Sequence, residues 1–596
     1  MDIEVIRHSL SHILALAVKR LYGNHVRFGT GPATENGFFY DFEFSRPLPE
    51  SELPKIQKEM EKIVKENIPF RKKVMPLEES REFFKAEVQP YKVELLDNIA
   101  DPQHTVGRTE QQSVPTKENP NIIHYQLSEF EDLCKGPHIK KTSEIRIGSF
   151  QLERIAGAYW QADEKNNMLS RIYGLAFSDK KELKKYLALR EEAKKRDHRK
   201  LGKELDLFVF SDLVGPGLPL LTPKGATIRQ ELEKFVVEEE TKRGYLRTYT
   251  PEIAKVDLYK KSGHWDHYQE SMYPPIDIDG EDYVLRPMTC PHQFMIYNSR
   301  PRSYRDLPLR YAELAKMYRK EQSGELTGLI RVMGFTLSDA HIVCRTDQLE
   351  DEFKKVLELV QYSMKILDIK DYWYRFSKWD PCDKKKYIHD KEAWKRSQSS
   401  MKKILDQMKL KYEESEGEAA FYGPKLDIQT RNVNGKEDTA ITIQIDFVMP
   451  KRFDMTYTDS NGEEQTPMVI HRSSIGCIER TMAYLIEHFA GNFPVWLAPV
   501  QVKVLSVGDK HVKFCRELAR EFRENNIRVE IDEENETVGK KIRQAILEKV
   551  PYILVIGEKE IKSGKLTIRD RESGKTREAE KEKFIGEVLS SMKKRE

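Results

Sequence analysis

Two sets of residues in this chain of 596 have types and spacings that chemistry uses. The richer set lies in Leu309–Cys344. The pattern there reads as two strands, Arg310 to Arg319 and Arg331 to Val343, joined by a polar loop that Ser323-Gly324 breaks. Strand residues two apart point the same way, so Asp339 and His341 share a face. Arg319 and Arg331 flank the loop. Two guanidiniums, the Phe335 ring and an Asp/His pair suit a polyphosphate, a flat base and a small polar substrate. An exposed charged hairpin would show the same pattern. The second set is His8 and His12, four apart on one face of a helical pattern, together with Cys134-Lys-Gly-Pro-His138. Gly136-Pro137 forces a turn that brings thiol and imidazole together, and three imidazoles with one thiol make a tetrahedral metal set on paper. The plainer alternative is a common helical repeat beside a packed cysteine.

Particular elements must hold these groups. The first is a helix with Ile13, Leu14, Leu16, Ala17 and Leu21 as its apolar side. A charged helical connector runs from Ser178, its expected cap, to Leu205, with Leu183, Tyr186, Leu187 and Leu189 as a thin stripe. It reads as a solvated linker whose lysines could also touch a nucleic-acid backbone. Thr222-Pro-Lys-Gly-Ala-Thr-Ile opens a helix through Glu240, and Tyr249-Thr-Pro251 follows as strand and breaker. Near the C-terminus, Val502–Val507, Ile527–Ile531 and Tyr552–Ile556 read as strands. Val512–Glu524 and Val538–Leu547 read as the helices between them. That alternation implies βαβ units and a mainly parallel sheet.

The length suggests about three to five domains. With 100 basic residues against 97 acidic, the net charge is only +3, so any nucleic acid must meet local patches rather than a global field. The six cysteines are scattered without a CxxC, as in a reducing compartment. No apolar run reaches the roughly 18 residues of a membrane span. Met1-Asp2-Ile3-Glu4 is unlike a secretory or mitochondrial leader. A soluble cytoplasmic protein without a membrane partner is expected.

The run Arg319 to His341, RKEQSGELTGLIRVMGFTLSDAH, resembles the second signature motif of class II aminoacyl-tRNA synthetases, and that of the threonyl group in particular. Further segments resemble the same group in its order. HSLSHILALAVKRLYG, GPATENGFFYDFE and DLCKGPH look like the editing domain shared by bacterial-type threonyl and alanyl enzymes. Ala156–Phe177 looks like the associated second domain, and Thr222–Pro251 like motif one. His471–Arg480 looks like motif three, and WLAPVQV with the later VIGEKE like the anticodon-binding domain.

The resemblance implies a multidomain α/β and α+β fold. An N-terminal α+β editing domain with its second domain (1–177) and a helical linker (178–205) would precede a class II antiparallel-sheet catalytic core (206–494). A C-terminal α/β anticodon-binding domain (495–596) would close the chain. The small ubiquitin-like domain that commonly precedes the editing domain is not expected, because His8 stands near the start. The implied activity joins threonine to tRNA(Thr) through threonyl-adenylate, using ATP with Mg²⁺, in a homodimer. Arg319, Lys425, Gln444, Arg480 and His264 would be catalytic. Arg319, Glu321, Arg331, Phe335 and Arg480 would hold ATP, while Asp339, Tyr422 and Gln444 would hold threonine. Cys290, His341 and His471, whose spacing alone marks no metal site, would bind one Zn²⁺ per subunit and leave an open position. An apolar pocket separates near-isosteres such as threonine and valine by only about a hundredfold. An open zinc that takes both amino and hydroxyl groups excludes valine but not serine. His8, His12, Asp132, Cys134 and His138 would therefore clear seryl-tRNA(Thr). Asn535, Glu560 and Arg569 would read anticodon bases, and Lys540, Lys541 and Lys565 would meet phosphates. Thr289, Leu337, Thr439 and Cys477 stand where the family usually has Asn, Gln, Gln and Ser, which bears on pocket selectivity. The alternatives are another class II synthetase such as prolyl, or a synthetase-derived RNA-binding protein without ligase activity.

Overall fold

A computed structural model describes residues 2–100, 121–383, 385–388, 390–433 and 435–596. The chain divides into two compact units, Met1–Arg190 and Glu191–Glu596.

The first unit begins with the helix Ile3–Tyr22, capped by Asp2, whose side chain accepts from the Glu4 N–H at 3.0 Å. Leu10, Ile13, Leu14, Leu16, Ala17 and Val18 are all fully buried, so the apolar periodicity of this helix places it at the core. One antiparallel sheet is ordered Arg27–Phe28, Gly37–Glu43, Met168–Ala176, Phe150–Tyr159. A second runs Arg71–Pro76, Asn121–Leu127, Phe130–Leu133.

The connector differs from its expected form. It is two helices, Lys180–Arg196 and His198–Glu204, because Asp197 breaks out and caps the second through the Arg199 N–H at 2.8 Å. Asp179, not Ser178, caps the first, accepting from the N–H groups of Lys181 and Glu182.

The second unit is built on an eight-stranded sheet. Its order is Leu246–Arg247, Leu309–Tyr318, Gly334–Cys344, Met468–Cys477, Glu437–Asp446, Lys425–Arg431, Tyr372–Lys378, Tyr412–Glu416. The outermost pair on each side is parallel and the rest antiparallel. The second strand of the hairpin thus begins at Gly334 rather than Arg331. The Thr327–Arg331 segment closes on itself, with the Ile330 N–H donating to the Thr327 carbonyl at 2.9 Å. The strand after the helix Pro223–Lys242 is confined to Leu246–Arg247, short of Tyr249.

Toward the C-terminus the expected helices Val512–Glu524 and Val538–Leu547 are present. The sheet there is mixed. Val529–Asp532, Val502–Ser506 and Tyr552–Ile556 are parallel, and Lys565–Asp570 and Thr576–Glu580 extend it antiparallel. Among the described residues no helix is long and apolar enough to cross a membrane.

Candidate active site

Sheet register assembles the centre of the second unit. Facing residues on adjacent strands form the row Tyr311, His341, His471, Gln444, Lys425, Ser377. Asp339 lies two residues from His341 and opposite Ser473, so it stands on the same face. Between Leu337 and Asp339 the register shifts, because Ser474–Gly476 bulge out. Ser338 holds that bulge: its hydroxyl donates to the Gly476 carbonyl at 3.1 Å and accepts from the Ser474 and Ile475 N–H groups. Leu337 faces Cys477, so two of the unusual positions are direct neighbours.

Cys290 opens the helix Cys290–Asn298. Its thiol and the His341 and His471 imidazoles bring ligand atoms within 4.8 Å of one another, all three residues being buried. The outer nitrogen of each histidine is already committed. His341 Nδ1 pairs with Gln293 Oε1 at 2.7 Å, and His471 Nε2 with Asp446 Oδ2 at 2.8 Å. Asp446 is itself fixed by the N–H groups of Val448 and Met449. This leaves His341 Nε2 and His471 Nδ1 for the cluster, with partners behind them that fix ring orientation. A thiol and two oriented imidazoles fit a Zn²⁺ with an open position.

Around this cluster the residues that the resemblance assigns to threonine converge. The Tyr422 ring stacks on His471 at 5.1 Å, and its hydroxyl donates to Gln444 Oε1. His264 packs against Phe421 and Tyr422, with Nδ1 2.8 Å from Ser262 Oγ. Burial, with His471 and Arg452 adding to it, holds His264 down to about 3. Burial pushes the Asp339 carboxyl up to about 6, the neighbouring His471 acting against it. Lys425 reaches Asp427 at 2.9 Å, and Asp427 is anchored by Ser377 and Thr442.

The residues that the resemblance assigns to the nucleotide are also together. The Arg319 guanidinium lies 5.2 Å from the centre of the Phe335 ring. Burial lowers the pKa of Arg319, and nearby Arg480 adds to the effect. Arg331 pairs with Glu321 at 2.8 Å and with Glu325 at 2.9 Å. Arg480 donates to the carbonyls of Ile330 and Thr439.

In the first unit, His8, His12, Cys134 and His138 converge, with ligand atoms within 4.8 Å of one another. Cys134 Sγ is 3.2 Å from His8 Nε2 and 3.1 Å from His138 Nε2, while His138 Nδ1 meets Ser9 Oγ. Burial holds all three imidazoles below their usual range and pushes the Cys134 thiol up to about 12. Nδ1 of His12 is buried without a hydrogen bond among the described residues. Asp132 sits behind the cluster, bound to the Tyr40 hydroxyl and to the buried ammonium of Lys92. Spacing did not mark Tyr40 or Lys92, because both reach Asp132 only through the fold.

The C-terminal groups divide. Asn535 is exposed, and Arg569 makes no ion pair among the described residues. Glu560 is buried and caps its own helix, accepting from the Gly557 N–H at 2.9 Å and the Thr567 hydroxyl at 2.7 Å. Lys540 and Lys565 are exposed. Lys541 corrects the sequence reading. Its ammonium is buried and donates to Ser506 and to the Asp532 carbonyl, so it cannot meet phosphates.

Three family models match the chain. Residues 273–489 match the tRNA synthetase class II core domain (G, H, P, S and T). Residues 501–591 match an anticodon binding domain, and residues 123–173 the threonyl and alanyl tRNA synthetase second additional domain. The chain is similar to the threonine–tRNA ligase of Clostridium botulinum (strain Alaska E43 / Type E3), 51% identical over 573 residues, 96% of this chain and 86% of that protein. It is 48% identical over 593 residues to the threonine–tRNA ligase of Staphylococcus carnosus, 99% of this chain and 88% of that one. Its fold matches the RNA binding domain of threonyl-tRNA synthetase from Cryptosporidium parvum Iowa II, with a TM-score of 0.63 and 34% identity, covering 66% of this chain and 98% of that one. Identity at half of all positions over nearly the whole chain separates it from the prolyl and non-ligase alternatives, and the chain belongs to the threonine–tRNA ligase family of class II aminoacyl-tRNA synthetases.

Proposed function

We propose that the sheet face bearing His341, His471, Gln444 and Lys425 is where this threonine–tRNA ligase joins threonine to ATP. The enzyme forms threonyl-adenylate and pyrophosphate, using ATP with Mg²⁺, and passes threonyl to the 3′-terminal adenosine of tRNA(Thr). Hydrolysis of mischarged seryl-tRNA(Thr) accompanies it. One observation carries the placement: the buried Cys290, His341 and His471 atoms converge within 4.8 Å on the face that also carries Asp339, Gln444 and Lys425.

The residue roles that the resemblance implies suit that face. The threonine carboxylate attacks the α-phosphorus, and the bond to pyrophosphate breaks. Arg319 and Lys425 neutralise charge that develops on the phosphoryl oxygens, and Arg480 and Arg331 hold the outer phosphates. Phe335 stacks on adenine and Glu321 accepts from its amino group. Cys290, His341 and His471 would hold one Zn²⁺, which when bound supplies an open position for the amino and hydroxyl groups of threonine. Asp339 receives the hydroxyl proton in a charge-assisted hydrogen bond, and Tyr422, Gln444 and His264 shape the rest of the pocket.

The proposed domains are editing with its second domain over 1–177, linker 178–205, catalysis 206–494 and anticodon binding 495–596, and the family matches at 123–173, 273–489 and 501–591 fall inside three of them. His8, His12, Asp132, Cys134 and His138 would position seryl-tRNA and its attacking water. Asn535 and Arg569 would read anticodon bases. Glu560 would join them only by giving up an internal hydrogen bond. Leu213 and Tyr249 are 100% and 88% exposed, with Val209, Phe210 and Leu246 about half exposed, and such exposed apolar side chains suit a homodimer. Six unpaired cysteines suit a cytoplasmic setting.

Pyrophosphate exchange with threonine, serine, valine and proline, on native and chelated protein with zinc counted, tests the reading. It expects threonine-driven exchange that is lost with zinc, some serine activity and almost none with valine. Exchange with proline, or zinc-independent threonine exchange, would remove the roles given to Cys290, His341 and His471.

A further inference from the structure

The connector helix His198–Glu204 carries a buried imidazole with both nitrogens engaged. His198 Nδ1 is 2.7 Å from Glu487 Oε1, and its Nε2 accepts from the Leu329 N–H at 3.1 Å. A ring that accepts at Nε2 and faces a carboxylate at Nδ1 is the neutral Nδ1–H tautomer, donating to Glu487. Asp197, His198 and Glu487 also bring ligand atoms within 4.8 Å of one another. With both ring nitrogens spoken for, His198 and Glu487 form a hydrogen-bond relay rather than a metal site, and the Asp197 carboxylate is taken by Arg199.

The relay ends on the loop that serves the nucleotide. Leu329 is fully buried, and the next residue, Ile330, offers its carbonyl to Arg480 Nε at 3.2 Å. Arg331 follows, paired with Glu321. Arg480 and Glu487 lie two turns apart on the helix Ile478–His488, so one helix grips the loop twice, once directly and once through His198. The loop approaches the connector too closely for any side chain at Gly328. Its φ is +50°, and a Cβ there would lie 2.0 Å from His198 Nε2.

We infer that His198 is a positioning residue for adenylate formation: it fixes the Leu329 N–H, and through it the Ile330–Arg331 segment against Arg480, in the geometry that binds the outer phosphates of ATP. This rests on the reading of Arg331 and Arg480 as phosphate-binding residues. The residue touches no substrate and acts through the loop alone.

Pyrophosphate exchange on the full-length protein tests it, with KM for ATP and for threonine and the thermal midpoint measured together. Losing one buried hydrogen bond that holds the loop, His198→Ala should raise KM for ATP about tenfold, with KM for threonine unchanged. His198→Gln, which can donate to Glu487 and accept from Leu329, should recover most of that loss. Gly328→Ala, which crowds the contact without altering His198, should raise KM for ATP in the same direction. A lowered midpoint with KM for ATP unchanged in both His198→Ala and Gly328→Ala would overturn the inference and leave His198 as packing. Arg480→Ala is the control. If it leaves KM for ATP intact, the phosphate reading itself fails, and the inference fails with it.

Discussion

His341 and His471 are register partners on adjacent antiparallel strands, with rings meeting edge to face at 4.5 Å and 86°. Each ring is held from behind, one by Gln293 and the other by Asp446. His471→Ala should therefore abolish bound zinc and threonine-driven exchange together. Asp446→Asn is subtler. The new amide oxygen can still accept from the Val448 and Met449 N–H groups, but its NH₂ would oppose the His471 Nε2–H. Loss of such a partner costs about 10–100-fold in metal affinity, which a competitive chelator titration reads directly. Unchanged affinity would mean that Asp446 serves only as a backbone cap.

Cys134 bridges His8 and His138 at 3.2 and 3.1 Å in the first unit, a different compact unit from the one holding the proposed ATP site. Cys134→Ala and His138→Ala should let seryl-tRNA(Thr) accumulate in aminoacylation assays with serine, while threonine-driven pyrophosphate exchange keeps its wild-type rate. Loss of both activities would show that the cluster holds the fold rather than clearing serine.

Local order was legible in the residues. The period of two placed Asp339 and His341 on one face. Strong amphipathic periodicity located the helices Val512–Glu524 and Val538–Leu547. Strand partnership was not legible. Nothing local says that His341 pairs with His471, 130 positions on, and only the family resemblance joined them to Cys290. The partners behind the ligands were missed because Gln293 and Asp446 are ordinary polar residues whose role exists only once the sheet and helix are assembled. The split of the connector at Asp197 was hidden by the continuous charge pattern on both sides of it. Lys540 and Lys541 read as one basic pair. Successive residues on a helix point about 100° apart, so one faces solvent and the other the core.

That difference is measurable. Lys541 donates to Ser506 and Asp532 from a site only 3% exposed. Lys541→Ala removes its buried hydrogen bonds to Ser506 and to the Asp532 carbonyl, which keeps only the Ser506 hydroxyl, and should cost about 1–3 kcal/mol of stability, seen in urea unfolding. The salt dependence of tRNA binding should stay as in the wild type. Lys565→Ala should do the reverse, lowering tRNA affinity and its salt slope with little change in stability. If Lys541→Ala alters the salt slope instead, its ammonium is reaching phosphate after all.

Arg595 donates to Glu239 and Glu238 on the helix Pro223–Lys242, each at 2.8 Å, with its guanidinium over Phe235. Burial alone would raise Glu239, but hydrogen bonds from Arg595, Lys242 and Arg243 outweigh it and bring the carboxyl from its ordinary value near 4.5 down to about 2. A carboxylate whose folded pKa is depressed contributes stability that is fully present above the unfolded value, because there the unfolded chain gains nothing by holding its proton. The contribution fades as pH falls from about 4.5 toward 2, and at neutral pH the depression corresponds to about 3 kcal/mol. Arg595→Ala should therefore lower stability most at neutral pH, and the gap from wild type should narrow as pH falls through that window. Glu239→Gln should flatten the same stretch of the acid-unfolding curve. A pH-independent difference between wild type and Arg595→Ala would assign the effect to packing of Arg595 on Phe235 rather than to the charge on Glu239.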